Sequence, residues 1–120
     1  MLTRAVYSVL INYKDGTEEV TTIKDEKLYE AILERFDERK IDRVCIINRD
    51  KEGNILSYEP FFDSRLHELV LSAKTTTLMH DGELVTGHIG YINTRKPYYT
   101  FNGVGRRFTI RPDLVDFNIN

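Results

Sequence analysis

The chain has 120 residues, of which 41% are hydrophobic and 30% charged, and its formal net charge is −2. This length suits one hydrophobic core, so we predict a single domain over residues 1–120, and the composition excludes a disordered or fibrous chain. No apolar run approaches the length of a membrane-spanning segment, so we expect no membrane association and a cytoplasmic location.

The charges are distributed unevenly along the chain. Residues 1–92 carry 12 basic and 17 acidic side chains, whereas residues 93–112 carry five basic and no acidic ones. A protein that binds extended nucleic acid normally has a basic total, so this layout predicts a local field that attracts an anion. The alternative is that the acidic and basic parts neutralise each other, within one chain or across a homo-oligomer.

The first half of the sequence begins with a predicted β-hairpin. Residues 5–13 and 17–23 are rich in β-branched and aromatic residues, and Lys14-Asp15-Gly16 supplies the turn between them. Both faces of the first strand carry apolar side chains. This strand is therefore either central in its sheet or in contact with another subunit.

A helix and two further strands complete a β-β-α-β-β unit. Apolar residues recur at helical spacing over residues 26–40, where Asp25 is a candidate N-cap. The apolar run 41–48 predicts a buried strand, and residues 55–58 predict a returning strand that Pro60 ends. Such a unit stacks one helix on a four-stranded antiparallel sheet.

The segment 61–74 fits two patterns. Its apolar residues follow the i, i+3, i+4, i+7 spacing of a helix, for which Asp63 or Ser64 is a candidate cap. Part of the segment also alternates as a strand would. We favour the helix.

The remaining sequence predicts strands. Residues 75–79 and 83–92 form two of them, joined by a turn at His80-Asp81-Gly82, and Gly87 and Gly90 indicate a bulge or a close approach by another backbone or a ligand. The apolar C-terminal residues predict an edge strand or a contact with a partner. Together these elements predict an α+β fold: a mainly antiparallel sheet of six or seven strands, packed by one or two helices, in a protein that self-associates.

The basic segment from Asn93 to Pro112 is the candidate binding site. Asn102-Gly103 between aromatic and β-branched runs predicts a C-terminal β-hairpin in which residues 98–101 pair with 106–110. Alternation along the second strand then gives one mainly apolar face and one basic face. The candidate ligand-binding residues are basic or aromatic: Arg95, Lys96, Tyr98, Tyr99, Phe101, Arg106, Arg107 and Arg111.

These residue types suit a phosphate-bearing ligand. Arginine forks bind phosphate in a bidentate manner, and aromatic rings stack on a base or on a guanidinium plane. We therefore predict a non-enzymatic protein that binds a nucleotide or nucleotide signal, for sequestration or sensing. The competing interpretation is that Tyr99, Phe101 and Phe108 are core residues and that the arginines are ion-paired.

Two further functions stay open. A small domain rich in tyrosine and arginine also fits a protein–protein inhibitor or assembly factor, in the format of phage accessory proteins with an anti-defence role. The third is a metal-independent ribonuclease in which His80 or His88 acts with Tyr98, Arg106 and Arg107.

Other chemistry has no support in the sequence. The single cysteine, Cys45, lies in an apolar run, which predicts a core thiol in a reducing compartment rather than a nucleophile. This cysteine and the three histidines lack the paired spacing of zinc ligands. The chain has no nucleophile elbow or Walker loop, so we predict no metal and no cofactor.

Overall fold

The residues that the structure describes form two antiparallel β-sheets and two α-helices. The computed structural model describes residues 6–24, 28–37, 40–91 and 99–117. The elements in chain order are β1 Val6–Tyr13, β2 Glu18–Lys24, α1 Leu28–Asp37, β3 Ile41–Arg49, β4 Ile55–Asp63, α2 Ser64–Ser72, β5 Thr76–His80, β6 Glu83–Tyr91, β7 Tyr99–Gly103, β8 Arg106–Ile110, a 3₁₀ turn Pro112–Leu114 and β9 Val115–Asp116. The predicted α+β class is confirmed, with nine strands among the described residues in place of six or seven.

The chain divides into two compact units, residues 1–64 and residues 65–120. The first unit contains α1 and a four-stranded sheet of order β2-β1-β3-β4. This arrangement confirms the predicted β-β-α-β-β unit and the central position of β1. The organisation of the whole chain as a single domain stays a prediction.

One face of the first sheet forms a core with α1. Val9 and Ile11 of β1 are buried together with Leu28 and Ile32 of α1. These residues are two apart on the strand and four apart on the helix, so each pair lies on one side of its element. The described helix is shorter than the predicted range 26–40, and the candidate N-cap Asp25 lies outside the described residues.

The strand predicted to stop at Pro60 continues to Asp63. β4 is an edge strand of its sheet, and its register with β3 shifts next to Pro60. A residue without an N–H is tolerated at such a position, because no ladder hydrogen bond is lost in the middle of a sheet. The helix predicted over 61–74 is confirmed from Ser64 to Ser72, while its first three residues belong to β4.

The second unit contains α2 from Arg65 onward and a five-stranded sheet of order β8-β7-β6-β5-β9. Leu66 of α2 is buried with Leu78 and Val85, which face each other on β5 and β6. The loop between these two strands is Asp81-Gly82, and both residues have positive φ, 50° and 77°, as a type I′ turn requires. β9 is an edge strand beside β5, as the C-terminal sequence predicts.

β6 runs through both of its internal glycines without interruption. Gly87 is buried opposite Gly103 of β7, and the pairing of the two strands has no register shift. A Cβ on Gly87 would lie 2.7 Å from a ring carbon of Phe101 and 2.8 Å from the Cα of Gly103. Of the two predicted alternatives, the structure therefore has a close backbone approach and not a bulge.

Cys45 departs from the prediction of a core residue. Its side chain is only half-buried, and Cys45 is not among the buried residues of the first core. It faces Leu10 across the β1–β3 ladder, on the side of the sheet opposite α1. The apolar run in β3 therefore has side chains on both faces of the sheet. Alternation places the thiol of Cys45 on the face opposite α1.

Candidate functional site

The basic segment forms the hairpin β7–β8 of the second unit. The two strands pair across a two-residue loop, Val104-Gly105. The predicted hairpin is confirmed, but its turn is displaced, because Asn102-Gly103 ends β7 instead of forming the loop. Gly105 has a φ of 70° and supplies the left-handed residue in the loop.

The inner face of the hairpin is part of the core. Tyr99 is fully buried and Phe101 is 1% exposed, and both lie in the cluster that Ile110 of β8 also joins. Phe108 packs against this cluster, and its ring stacks on Phe101 at a centroid separation of 5.1 Å. The structure therefore agrees with the core interpretation of these three aromatic residues. The rings of Tyr99 and Phe101 present no exposed face on which a ligand could stack.

Arg106 is held by its own sheet. Its guanidinium forms a two-pronged ion pair with the carboxylate of Glu83 at the start of β6, in which Nη2 donates to Oε2 at 3.2 Å. The guanidinium carbon also lies 5.2 Å from the ring centroid of Phe108. Hydrogen bonding by Arg106 lowers the pKa of the Glu83 carboxyl, and the carboxylate raises the pKa of Arg106 in return. Arg106 therefore has a structural partner for its charge.

Arg111 has a local partner as well. Its Nη2 donates to Oδ2 of Asp113 at 2.8 Å, and both side chains are well exposed. Its backbone N–H donates to Nε2 of His80 at 3.2 Å. The ring of His80 lies 5.2 Å from that of Phe108, so this histidine serves the inner face of the sheet.

Arg107 lies on the opposite, outer face of the hairpin. Its Nε donates to Oδ1 of Asn102, directly across the ladder, at 2.8 Å. Within the described parts of the chain, neither of its Nη groups donates to a protein atom. The side chain is exposed, so the Nη edge of the guanidinium faces water with its orientation set by Asn102. This edge can bind two oxygens of one phosphate.

Polar side chains extend from Arg107 across the outer face of the sheet. The ladder aligns His88 of β6, Asn102 of β7 and Arg107 of β8 in one row across the sheet. The row continues toward Thr75, whose hydroxyl lies 3.4 Å from Nε2 of His88. An adjacent pair, Thr77 and Thr86, shares a hydrogen bond of 2.8 Å. The described outer face therefore offers a row of hydrogen-bonding groups beside one cation. The row is about 10 Å long from His88 to Arg107, because two strand spacings separate these residues.

The predicted site residues are only partly brought together. Arg95, Lys96 and Tyr98 lie outside the described residues. Arg106 and Arg107 are consecutive and lie on opposite faces of β8. Alternation also separates the residues of the ribonuclease hypothesis. His80 lies on the inner face with Arg106, whereas His88 lies on the outer face with Arg107.

The sequence interpretation missed Asn102 as a site residue. Because Asn-Gly is a strong hairpin signal, the sequence predicts Asn102 in the turn. The cross-strand pair of Asn102 with Arg107 becomes evident only when the loop is moved by two residues to Val104-Gly105. With that register, a polar residue directly opposite an arginine is a recognisable signal of a fixed guanidinium.

Two kinds of feature are absent from the described ranges. They contain no cluster of three or more His, Cys, Asp or Glu side chains arranged to hold a metal ion. Among the same residues, no helix combines the length and the apolar character that crossing a bilayer requires.

Comparison of the chain with known protein families, curated proteins and solved structures gives no match. Its function must therefore be inferred from its own side chains. Arg107, fixed by Asn102 and open to solvent, is the described group of the hairpin best suited to contact a ligand.

Proposed function

We propose that this protein is a non-enzymatic binding protein that holds a phosphate-bearing ligand on the outer face of its second sheet, through Arg107. The supporting observation is the hydrogen bond from Nε of Arg107 to Asn102. It restricts the rotation of a long side chain before any ligand arrives. Less conformational entropy is then lost on binding, which favours affinity.

The position of the hydrogen bond also determines how the arginine presents itself. Because Nε is occupied by Asn102, the ligand receives the end-on edge formed by Nη1 and Nη2. This edge matches two oxygens of a phosphate, whereas a single chloride or carbonyl uses only part of it. Asn102, bonded through its oxygen, retains amide N–H donors beside the same position.

A nucleotide or nucleotide signal is the ligand class that we favour. Tyr99 and Phe101 are buried, so neither ring can stack on the base of a nucleotide. We therefore expect the phosphate to provide most of the affinity, with hydrogen bonds from the polar row that includes His88 and Asn102. Such a site binds a small anion, whereas extended RNA or DNA would need a long row of basic side chains.

The experiment is a thermal-shift screen of nucleotides, cyclic oligonucleotides and short RNA or DNA, at low and moderate salt. A ligand at 100 times its Kd stabilises the folded state by about 2.7 kcal/mol, which gives a clear rise in the midpoint. For a hit, we expect Arg107→Ala to remove most of the shift without changing the midpoint of the unliganded protein. Higher salt should reduce the shift, because the contact is electrostatic.

The neighbouring arginine provides a matched control. Arg106→Ala removes the same charge from the same hairpin but on the inner face, so it should retain the ligand-induced shift. Equal loss of the shift in both variants would point to a general charge effect and contradict a site at Arg107. A screen without any hit would also contradict the proposal and favour the alternative of a protein partner.

A nucleotide ligand accords with a cytoplasmic location, which we also propose. The single cysteine of the chain supports this, because a lone thiol forms no internal disulfide and persists in a reducing compartment.

A further inference from the structure

The row of the outer face that contains Arg107 has a neighbouring row on the same face of the second sheet. Gly90 of β6, Thr100 of β7 and Thr109 of β8 lie directly beside one another in this second row. Each is two residues along its strand from a member of the first row, so it belongs to the same face. Thr109, His88 and Arg107 are exposed, which shows that this part of the face is open to water.

Gly90 leaves a notch in the second row. A glycine inside a strand marks a position where another backbone or a ligand approaches closely. At Gly87 the structure places a backbone there, whereas the surroundings of Gly90 differ. Among the described residues, chain neighbours aside, two side-chain atoms and no backbone atom lie within 4 Å of the point that a Cβ on Gly90 would occupy. Gly90 is therefore the glycine of β6 that is left for a ligand.

The two side-chain atoms that reach the notch over Gly90 are polar. The hydroxyl oxygen of Thr100 lies 2.8 Å from the Cβ position, and Nδ2 of Asn102 lies 3.7 Å from it. Nε of Arg107 is a donor and faces Oδ1 of Asn102, so the amide nitrogen is the end that is directed to β6. Within the described parts of the chain, neither this nitrogen nor the Thr100 hydroxyl has a hydrogen-bond partner.

These two groups favour a neutral group that carries hydroxyls. Neither of them is charged, so they do not supply the cation that a second phosphate prefers. A flat apolar ring over the notch would leave both groups without a partner, which costs free energy. A sugar hydroxyl, in contrast, accepts a hydrogen bond from Nδ2 of Asn102 and exchanges one with the hydroxyl of Thr100.

The notch over Gly90 adjoins the phosphate position. Asn102 joins the two, because its oxygen accepts from Arg107 and its nitrogen faces the notch. In a nucleotide, the sugar is the group bonded directly to the phosphate. Given the phosphate site at Arg107, on which this inference rests, we propose that the notch receives the sugar of the ligand. The protein then recognises the sugar phosphate part of a nucleotide through Arg107, Asn102 and Thr100.

Two probes of equal charge separate the contribution of the sugar from that of the phosphate. Methyl phosphate and ribose 5-phosphate are both phosphate monoesters, and only the second carries a sugar. Titration of the ¹⁵N-labelled full chain, followed by NMR, gives both dissociation constants even where binding is weak. We expect ribose 5-phosphate to bind about tenfold more tightly, which two further hydrogen bonds of ordinary net strength supply.

Variants of the second row test which groups cause this preference. Thr100→Val removes the hydroxyl and keeps the shape of the side chain, so it should reduce the preference to about twofold without changing the affinity for methyl phosphate. Gly90→Ala places a methyl group in the notch and should have the same effect. Thr109→Val is the matched control, because Thr109 lies two strand spacings from Gly90, about 10 Å. This variant should retain the tenfold preference.

The outcomes separate the sugar notch from the phosphate site. Arg107→Ala should abolish the binding of both probes, and methyl phosphate binding by the other variants shows that their hairpin is intact. Equal affinity of the wild type for the two probes overturns the sugar notch and leaves the phosphate site standing. A preference that persists in Thr100→Val and Gly90→Ala, or one that is lost equally in Thr109→Val, also overturns the notch. If neither probe binds the wild type, the phosphate site and the sugar notch are both wrong.

Discussion

At the scale of single residues, the difference between Arg106 and Arg107 follows from strand geometry. Consecutive side chains of a β-strand point to opposite faces, so two identical residues meet different neighbours. Arg106 meets Glu83 and the ring of Phe108, whereas Arg107 meets only the amide of Asn102 among the described residues. The first arginine is thereby committed to the fold, and the second remains available to a ligand.

The ion pair of Arg106 should be visible in the titration of Glu83. Because its pKa is lowered in the folded protein, the pair stabilises the fold above the ordinary pKa of a glutamate. This contribution is lost as the pH falls through the lowered folded-state pKa. We expect Arg106→Ala to raise the pKa of Glu83 toward its ordinary value, as measured by NMR titration of the side-chain carboxyl. A midpoint that does not move would show that the ion pair is not formed in solution.

At the scale of elements, glycines and one proline determine how the strands pair. Pro60 is accepted in β4 because that strand is at the edge of its sheet and has a register shift at that point. Gly87 is required in β6 because the backbone of β7 occupies the space that a side chain would need. Gly87 lies opposite Gly103, and neither residue has a side chain. This close contact positions the hairpin that carries Arg107.

We expect Gly87→Ala to destabilise the protein by about 1–3 kcal/mol, the usual range for overpacking a tight site. The added methyl group would meet the backbone of β7, which cannot move without disturbing the ladder. Urea denaturation measures the change. Gly90→Ala is the matched control on the same strand, because its methyl group would meet the hydroxyl of Thr100, at 2.8 Å, and a side chain can rotate away. Equal stability of the two variants would show that the backbone of β7 does not lie so close to Gly87.

At the scale of the whole molecule, the buried residues that the structure describes form two cores that share no residue. Every buried residue of the first core lies between Val9 and Phe62, and every one of the second lies between Leu66 and Ile110. The proposed ligand site lies on the second sheet, which packs on the second of these cores.

We expect residues 1–64, expressed alone, to fold. The fragment contains all four strands of its sheet, α1 and a complete core. Chains of about this size bury roughly 60% of their surface and are only marginally stable, so a low but cooperative thermal transition should appear in circular dichroism. A fragment without a cooperative transition would instead support the predicted single domain of 120 residues.

The sequence by itself determined the local features of this protein. The β-β-α-β-β order, the position of α2 and the turns of the β1–β2 and β5–β6 hairpins follow from periodicity and turn residues, which act over a few neighbours. Asp81-Gly82 is an example, since its conformation is set by the two residues of the turn. The alternative assignment of Tyr99, Phe101 and Phe108 to the core could also be stated from alternation alone.

Only the tertiary structure decided the features that depend on distant partners. The extension of β4 through Pro60, the division into two sheets and the register that pairs Asn102 with Arg107 each require knowledge of which strand lies alongside. The same holds for the ion pair of Arg106 with Glu83, residues 23 apart in the chain. Local propensity contains no information on such pairings, because a one-residue change of register exchanges the two faces of a strand. That exchange decides which arginine is ion-paired within its sheet and which one faces solvent.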